Sequence, residues 1–174
     1  MDSIYHKIYA SAHNNAIDLL REAELLFGNK AYPRAYAIAY TAIEEISKSQ
    51  FAADVYTGLH TEEEFRDFYR SHSRKLDRVQ WVHKDANSWP YNLRWIGPDQ
   101  DDVERIAPGQ PVFSKRQGSM YVDADFSNMS VASPSESVSE KDAKEMIQLV
   151  EVAINRIVDV EEEQGRIGTK GFMK

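Results

Sequence analysis

Residues 35–43 read AYAIAYTAI, and the wider stretch from Ala31 to Ile43 carries a single charge, Arg34. Wound as a helix, this stretch is apolar or small around nearly its whole circumference, which predicts a central helix enclosed by others rather than one with a wet side. Its alanines let neighbouring backbones approach closely. Tyr36 and Tyr40 share one side, where their hydroxyls need polar partners. The helix is expected to run to about Val55, with Gly58 beyond it.

Upstream, Ile4, Ile8, Ala12, Ala16, Leu19, Leu20, Ala23, Leu26 and Phe27 recur at steps of three and four, the spacing of one helical face. Gly28 reads as the stop of this first helix and Pro33 as part of the first turn of the second. So short a link makes the two antiparallel. Downstream, Thr61-Glu62-Glu63-Glu64 has the form of a capping box and opens a third helix bearing Phe65, Phe68, Tyr69, His72, Leu76 and Val79. From Arg66 to Lys84 six cations face two aspartates, 6 − 2 = +4, so this helix is locally basic.

Between Asp85 and Ser139 the periodicity fails and five of the six prolines occur, which predicts a loop insertion over about 85–138. Within it SMYVDADF can form a short strand or hairpin, and Trp81, Trp89 and Trp95 suggest packing onto the bundle. A last helix starts near Ser139 and carries Ala143, Met146, Ile147, Val150, Ala153, Ile154, Ile157 and Val160. Residues 164–174 have no periodicity and read as a frayed, flexible tail. The expected fold is all-α, an antiparallel up-and-down bundle in one domain over 1–163.

The 174 residues carry 21 Lys+Arg against 28 Asp+Glu, a net charge of −7, with 42% hydrophobic residues and no cysteine. This composition suits one soluble globular domain and excludes disulfide frameworks, cysteine zinc sites and thiol nucleophiles. No apolar run has the length of a membrane span, and the N-terminus lacks the pattern of a secretory signal, so no membrane association and a cytoplasmic location are expected. The acidic total argues against indiscriminate nucleic-acid binding but leaves room for a local basic patch.

On the third helix His72 falls within about 20° of Phe65, in the middle of the apolar stripe. It is either a core histidine with both nitrogens bonded or a general base in a recessed site near Arg66, Lys75 and the carboxylates of the second helix. On the second helix, measured from Ala35, Glu45 lies at about 280° and Glu44 at about 180°, so Glu45 is expected to point inward and Glu44 away. Lys48, Lys75, Arg66 or His72 could partner Glu45 in an interhelical polar cluster. None of the five histidines has Glu three positions before it, so a di-iron bundle is not read, and no glycine-rich phosphate loop or Gly-x-Ser-x-Gly elbow occurs. No metal or cofactor is expected.

Three segments, EAELLFGNKAYPRAYAIAYTAIEEISKSQ, FRDFYRSHSRKLDRV and SMYVDADFSNMSVASPSESVSEKDAKEMIQLVEVAI, resemble in this order the AbiV-type abortive infection proteins of the HEPN superfamily. The most specific parts are the run from Ala42 through Glu44 and Glu45 to Lys48, the pair His72 and Lys75, and Tyr121 with Asp123. The resemblance implies a HEPN-like bundle that dimerises and cuts RNA without metal, with a signature of Arg, four to six residues, then His. Arg66 and His72, with five residues between them, match it. By that likeness His72 helps activate the ribose 2′-hydroxyl and Arg66 steadies the phosphate, with Glu44, Glu45, Lys48 and Lys75 in support. Six positions place Arg66 and His72 about 120° apart on a regular helix, so Arg66 must reach around or a second subunit must complete the site. A homodimer is expected through bundle faces, since the second helix is too apolar to leave exposed. The resemblance also covers inactive modules that bind a nucleotide or a protein, and an inhibitor or phage protein is a further candidate partner.

Overall fold

A computed structural model describes residues 3–70, 109–165 and 167–168. Its axis is α2 (Tyr32–Tyr56), of whose 25 residues sixteen are buried, so the helix is enclosed on nearly every side by the same chain. That enclosure removes the reason for expecting α2 to supply a dimer face.

Helix α1 (Ile4–Gly28) begins at Ser3, whose hydroxyl accepts from the Tyr5 backbone amide. It runs antiparallel to α2: the buried Ser49 hydroxyl donates to the Tyr9 carbonyl at 3.0 Å, His6 lies beside Tyr56, and Phe27 beside Tyr32. Gly28, expected as the stop, is still helical. The left-handed position falls on Lys30 (φ 59), whose amide donates to the Phe27 carbonyl while that of Ala31 donates to Leu26. The end of α2 repeats this arrangement with Gly58 (φ 82) in the left-handed position and the Leu59 amide donating to Asp54.

Helix α3 (Glu62–Tyr69) starts with the expected capping box: the Thr61 hydroxyl accepts from the Glu64 amide, and the Glu64 carboxylate accepts from the Thr61 amide at 2.8 Å. The remainder of the expected third helix and the insertion up to residue 108 lie outside the described residues. From 109 onward the chain forms α4 (Gly109–Met120), a helix the loop reading did not foresee, then the expected hairpin, antiparallel strands β1 (Asp123–Asp125) and β2 (Ser130–Ala132) with Ala124 opposite Val131, and the single turn α5 (Pro134–Ser137). A Cβ on Gly118 would lie 3.0 Å from the Ser137 side chain, so glycine lets α4 sit close to α5. The Arg116 guanidinium lies 5.4 Å from the centre of the Tyr40 ring.

Helix α6 (Glu140–Gln164) starts at Ser139, whose hydroxyl and amide both donate to the Asp142 carboxylate, and Lys115 of α4 donates to the other carboxylate oxygen at 2.6 Å. Burial alone would raise the Asp142 pKa, but these bonds outweigh it and the net shift is downward. Two cores result. One joins Ala16 and Ala23, the first half of α2 and the inner face of α6; the other joins Tyr5, Tyr9, Phe51, Phe65, Phe68 and Ile167. Ile167 and Gly168 are buried: Ile167 enters the second core and Gly168 (φ 76) sits against Asp54.

Candidate functional site

The second core is aromatic: Phe51 meets Phe65 and Phe68 edge-on at 5.6 and 4.7 Å, and Tyr5 meets Phe65 edge-on at 5.4 Å, which holds α3 against the start of α1 and the end of α2. This fixes the outward side of α3, which carries Arg66, Tyr69 and Arg70. Two open clefts meet there. One, of about 450 Å³, is lined by Lys7, Ser11 and Asn15 of α1, Glu45 and Lys48 of α2, and Tyr69. The other, of about 620 Å³, is lined by Tyr5, Phe65, Arg66, Tyr69 and Arg70. Ile4, Ile8 and Tyr69 border both, so the two clefts adjoin at these side chains.

Glu45 and Lys48 form an ion pair with both side chains largely buried, and the Lys48 ammonium lies 5.4 Å from the centre of the Tyr69 ring. Lys48 therefore connects α2 to α3 through an aromatic face rather than through a second carboxylate. Arg66 stays at the surface, 3.4 Å from Glu62 in an exposed i,i+4 pair. Such pairs contribute only about 0.3–0.5 kcal/mol, so the guanidinium is readily diverted to a stronger anion. The Tyr5 hydroxyl neighbours both partners; burial raises its pKa first, the Glu62 charge adds to this, and Arg66 opposes.

Glu44 departs from the helical-wheel expectation. It is buried, at 4% exposure, whereas a wheel drawn from Ala35 turned it outward. The wheel assumed one buried face, and α2 has several. Glu44 lies on the Tyr40 side of the helix and lines neither cleft. Its charge adds to burial in raising the Tyr40 phenol well above the usual range, against the pull of Arg116. His72 and Lys75 lie outside the described residues. Of the expected site residues, Arg66, Glu45 and Lys48 are brought to one side of the bundle and Glu44 to another. Tyr121, just before the hairpin, and Asp123, in its first strand, are exposed and line neither cleft.

Sequence reasoning missed Tyr69 as a site residue because it fits the apolar period of α3. It also missed Lys7, Ser11 and Asn15, although their spacing of four marks a polar stripe on α1. Among the described residues no group of three or more His, Asp or Glu side chains is placed to hold a metal ion, and no helix is long and apolar enough to cross a membrane.

The described residues form an all-α bundle whose third helix turns a cationic, aromatic edge toward an open cleft. The family model for AbiV, HEPN_AbiV, matches residues 4–155, and the chain belongs to this family of abortive infection HEPN proteins. No curated protein and no solved structure matches the chain.

Proposed function

We propose that this protein is a metal-independent endoribonuclease of phage defence, a toxin that cuts RNA in the cytoplasm and works as a homodimer. The observation that carries the reading is Arg66, which stands at the mouth of the 620 Å³ cleft, weakly held, six positions before His72 in the spacing of the family signature. In the proposed reaction His72 accepts the 2′-hydroxyl proton, and the 2′-oxygen bonds to phosphorus. The 5′-oxygen then leaves with a proton, giving a 2′,3′-cyclic phosphate and a 5′-hydroxyl end. Arg66 offsets the charge gathering on the phosphoryl oxygens.

A second reading, a non-catalytic module that binds a nucleotide or a protein, is favoured by the hairpin. Phe126 and Met129 at its tip are 86% and 87% exposed, and Tyr121, Val122 and Val131 are also open. Apolar surface of this kind suits a protein contact, whether a second copy, an inhibitor or a phage protein. Incubating the purified chain with mixed RNA in excess chelator separates the readings. The nuclease reading expects fragments with cyclic phosphate ends; intact RNA at micromolar protein would leave the binding module.

A further inference from the structure

Tyr69 ends α3 with its ring about half exposed, at 49%, although it belongs to the apolar period of that helix. Phe65 braces it at 5.8 Å between ring centres, tilted by 36°, and Lys48 stands over the ring from α2. Both clefts open beside it, each large enough for a small polar ligand. Their walls carry Lys7, Lys48, Arg66 and Arg70. Glu45 partners Lys48 and Glu62 partners Arg66, whereas Lys7 and Arg70 have no carboxylate partner among the described residues. Four cations against two carboxylates leave the cleft positive in a chain whose total is −7.

We propose that Tyr69 is the stacking platform of a single-stranded RNA subsite, its ring receiving one unpaired base while Lys7 and Arg70 take the phosphates on either side. The proposal rests on the RNA reading above and specifies its substrate as unpaired RNA. A ring presented at the junction of two clefts and ringed by cations matches what an exposed base and its flanking phosphates require. A paired base in a duplex is already stacked on both faces and cannot use it.

The test measures anisotropy of a labelled 2′-O-methyl oligouridine, which binds as RNA does but cannot be cut through its 2′-oxygen, against the full chain. Tyr69→Ala is expected to weaken binding about 5- to 150-fold, the range of one lost base–aromatic stack. Tyr69→Phe should stay within about twofold of wild type, since the ring is kept. The salt dependence should be unchanged in Tyr69→Ala but shallower in Lys7→Ala and Arg70→Ala, which remove charge. A 2′-O-methyl duplex should bind Tyr69→Ala as it binds wild type.

Melting curves on the same samples confirm that the compared variants are folded. Undiminished oligouridine binding by folded Tyr69→Ala, or equal losses in Tyr69→Phe and Tyr69→Ala, would overturn the platform. If RNA is still cut in that case, the nuclease reading survives. A wild-type chain that neither binds the probe nor cuts RNA overturns both. Polyglutamate bound as tightly as the oligouridine and equally by Tyr69→Ala would mark the cleft as an acidic-protein surface instead.

Discussion

Replacing Gly168 by alanine should destabilise the bundle from a residue six positions from the end of the chain. Gly168 adopts φ 76, where a side chain costs about 1–2 kcal/mol. A Cβ there would collide with the Asp54 carboxylate and lie 3.1 Å from the Asp54 backbone nitrogen and 3.2 Å from the Ala53 Cβ. Asp54 is fully buried in α2, so neither its backbone nor its carboxylate has space to retreat. Forcing the contact would add about 1–3 kcal/mol of overpacking to the backbone strain. Releasing the segment instead gives up the burial of Ile167, about 1.5–3 kcal/mol, and this cheaper route sets the expected loss.

At about 2–4 °C per kcal/mol for a chain of this size, Gly168→Ala should lower the melting midpoint by about 3–12 °C. Hydrogen exchange should show the C-terminal peptide losing protection while α2 keeps its own. Ile167→Ala should act through the same release, so the double variant should cost no more than the larger single loss. A Gly168→Ala midpoint within a degree of wild type, with the C-terminal peptide still protected, would refute the docking of the tail.

Lys30 holds a left-handed conformation that glycine adopts freely, so Lys30→Gly should raise stability by about 0.5–1 kcal/mol; a lower midpoint would contradict the helix-end geometry. Burial lowers the His13 pKa below its ordinary value of 6.5, so the unfolded chain takes up this proton first. Its contribution is then full above pH 6.5 and lost as pH falls toward the folded value. Urea titrations should show wild type losing more stability than His13→Leu between pH 7.5 and 5. Asp142→Ala removes the carboxylate that accepts from the Ser139 amide and hydroxyl at the start of α6 and from Lys115, and should cost about 1–2 kcal/mol at pH 7. Because the Asp142 pKa is depressed, that difference should persist above 3.8 and disappear as the pH falls through the folded value.

The three long helices were legible because each writes its buried face in the sequence at steps of three and four, and the Thr61 capping box because its chemistry is local. Helix α4 was not. GQPVFSKRQGSM has no apolar period, and its contacts rest on a glycine tolerating Ser137 and an arginine reaching Tyr40, which no local pattern announces. Lys30 hid the end of α1 because the left-handed position there is fixed by hydrogen bonds from the following backbone, not by the residue type. Glu44 was misplaced because a helix enclosed on several sides has no single inward direction. The docking of Ile167 depends on a hydrophobic site assembled from α1, α2 and α3, so a lone apolar residue in a polar tail gave no sign of it. At the site, charge and motif spacing led to Arg66, Glu45 and Lys48. Tyr69 emerged only once α1 and α2 stood beside it.

We propose that the cleft edged by Arg66 serves RNA cleavage together with His72. The most direct measurement is RNA turnover per folded molecule for wild type, Arg66→Ala, His72→Ala and the double variant, with melting midpoints on the same samples. Turnover should fall by about 10²–10⁴ in His72→Ala and by about 10²–10³ in Arg66→Ala, with a double variant well short of the product because both act on one transition state. Undiminished turnover in a folded His72→Ala protein would contradict it.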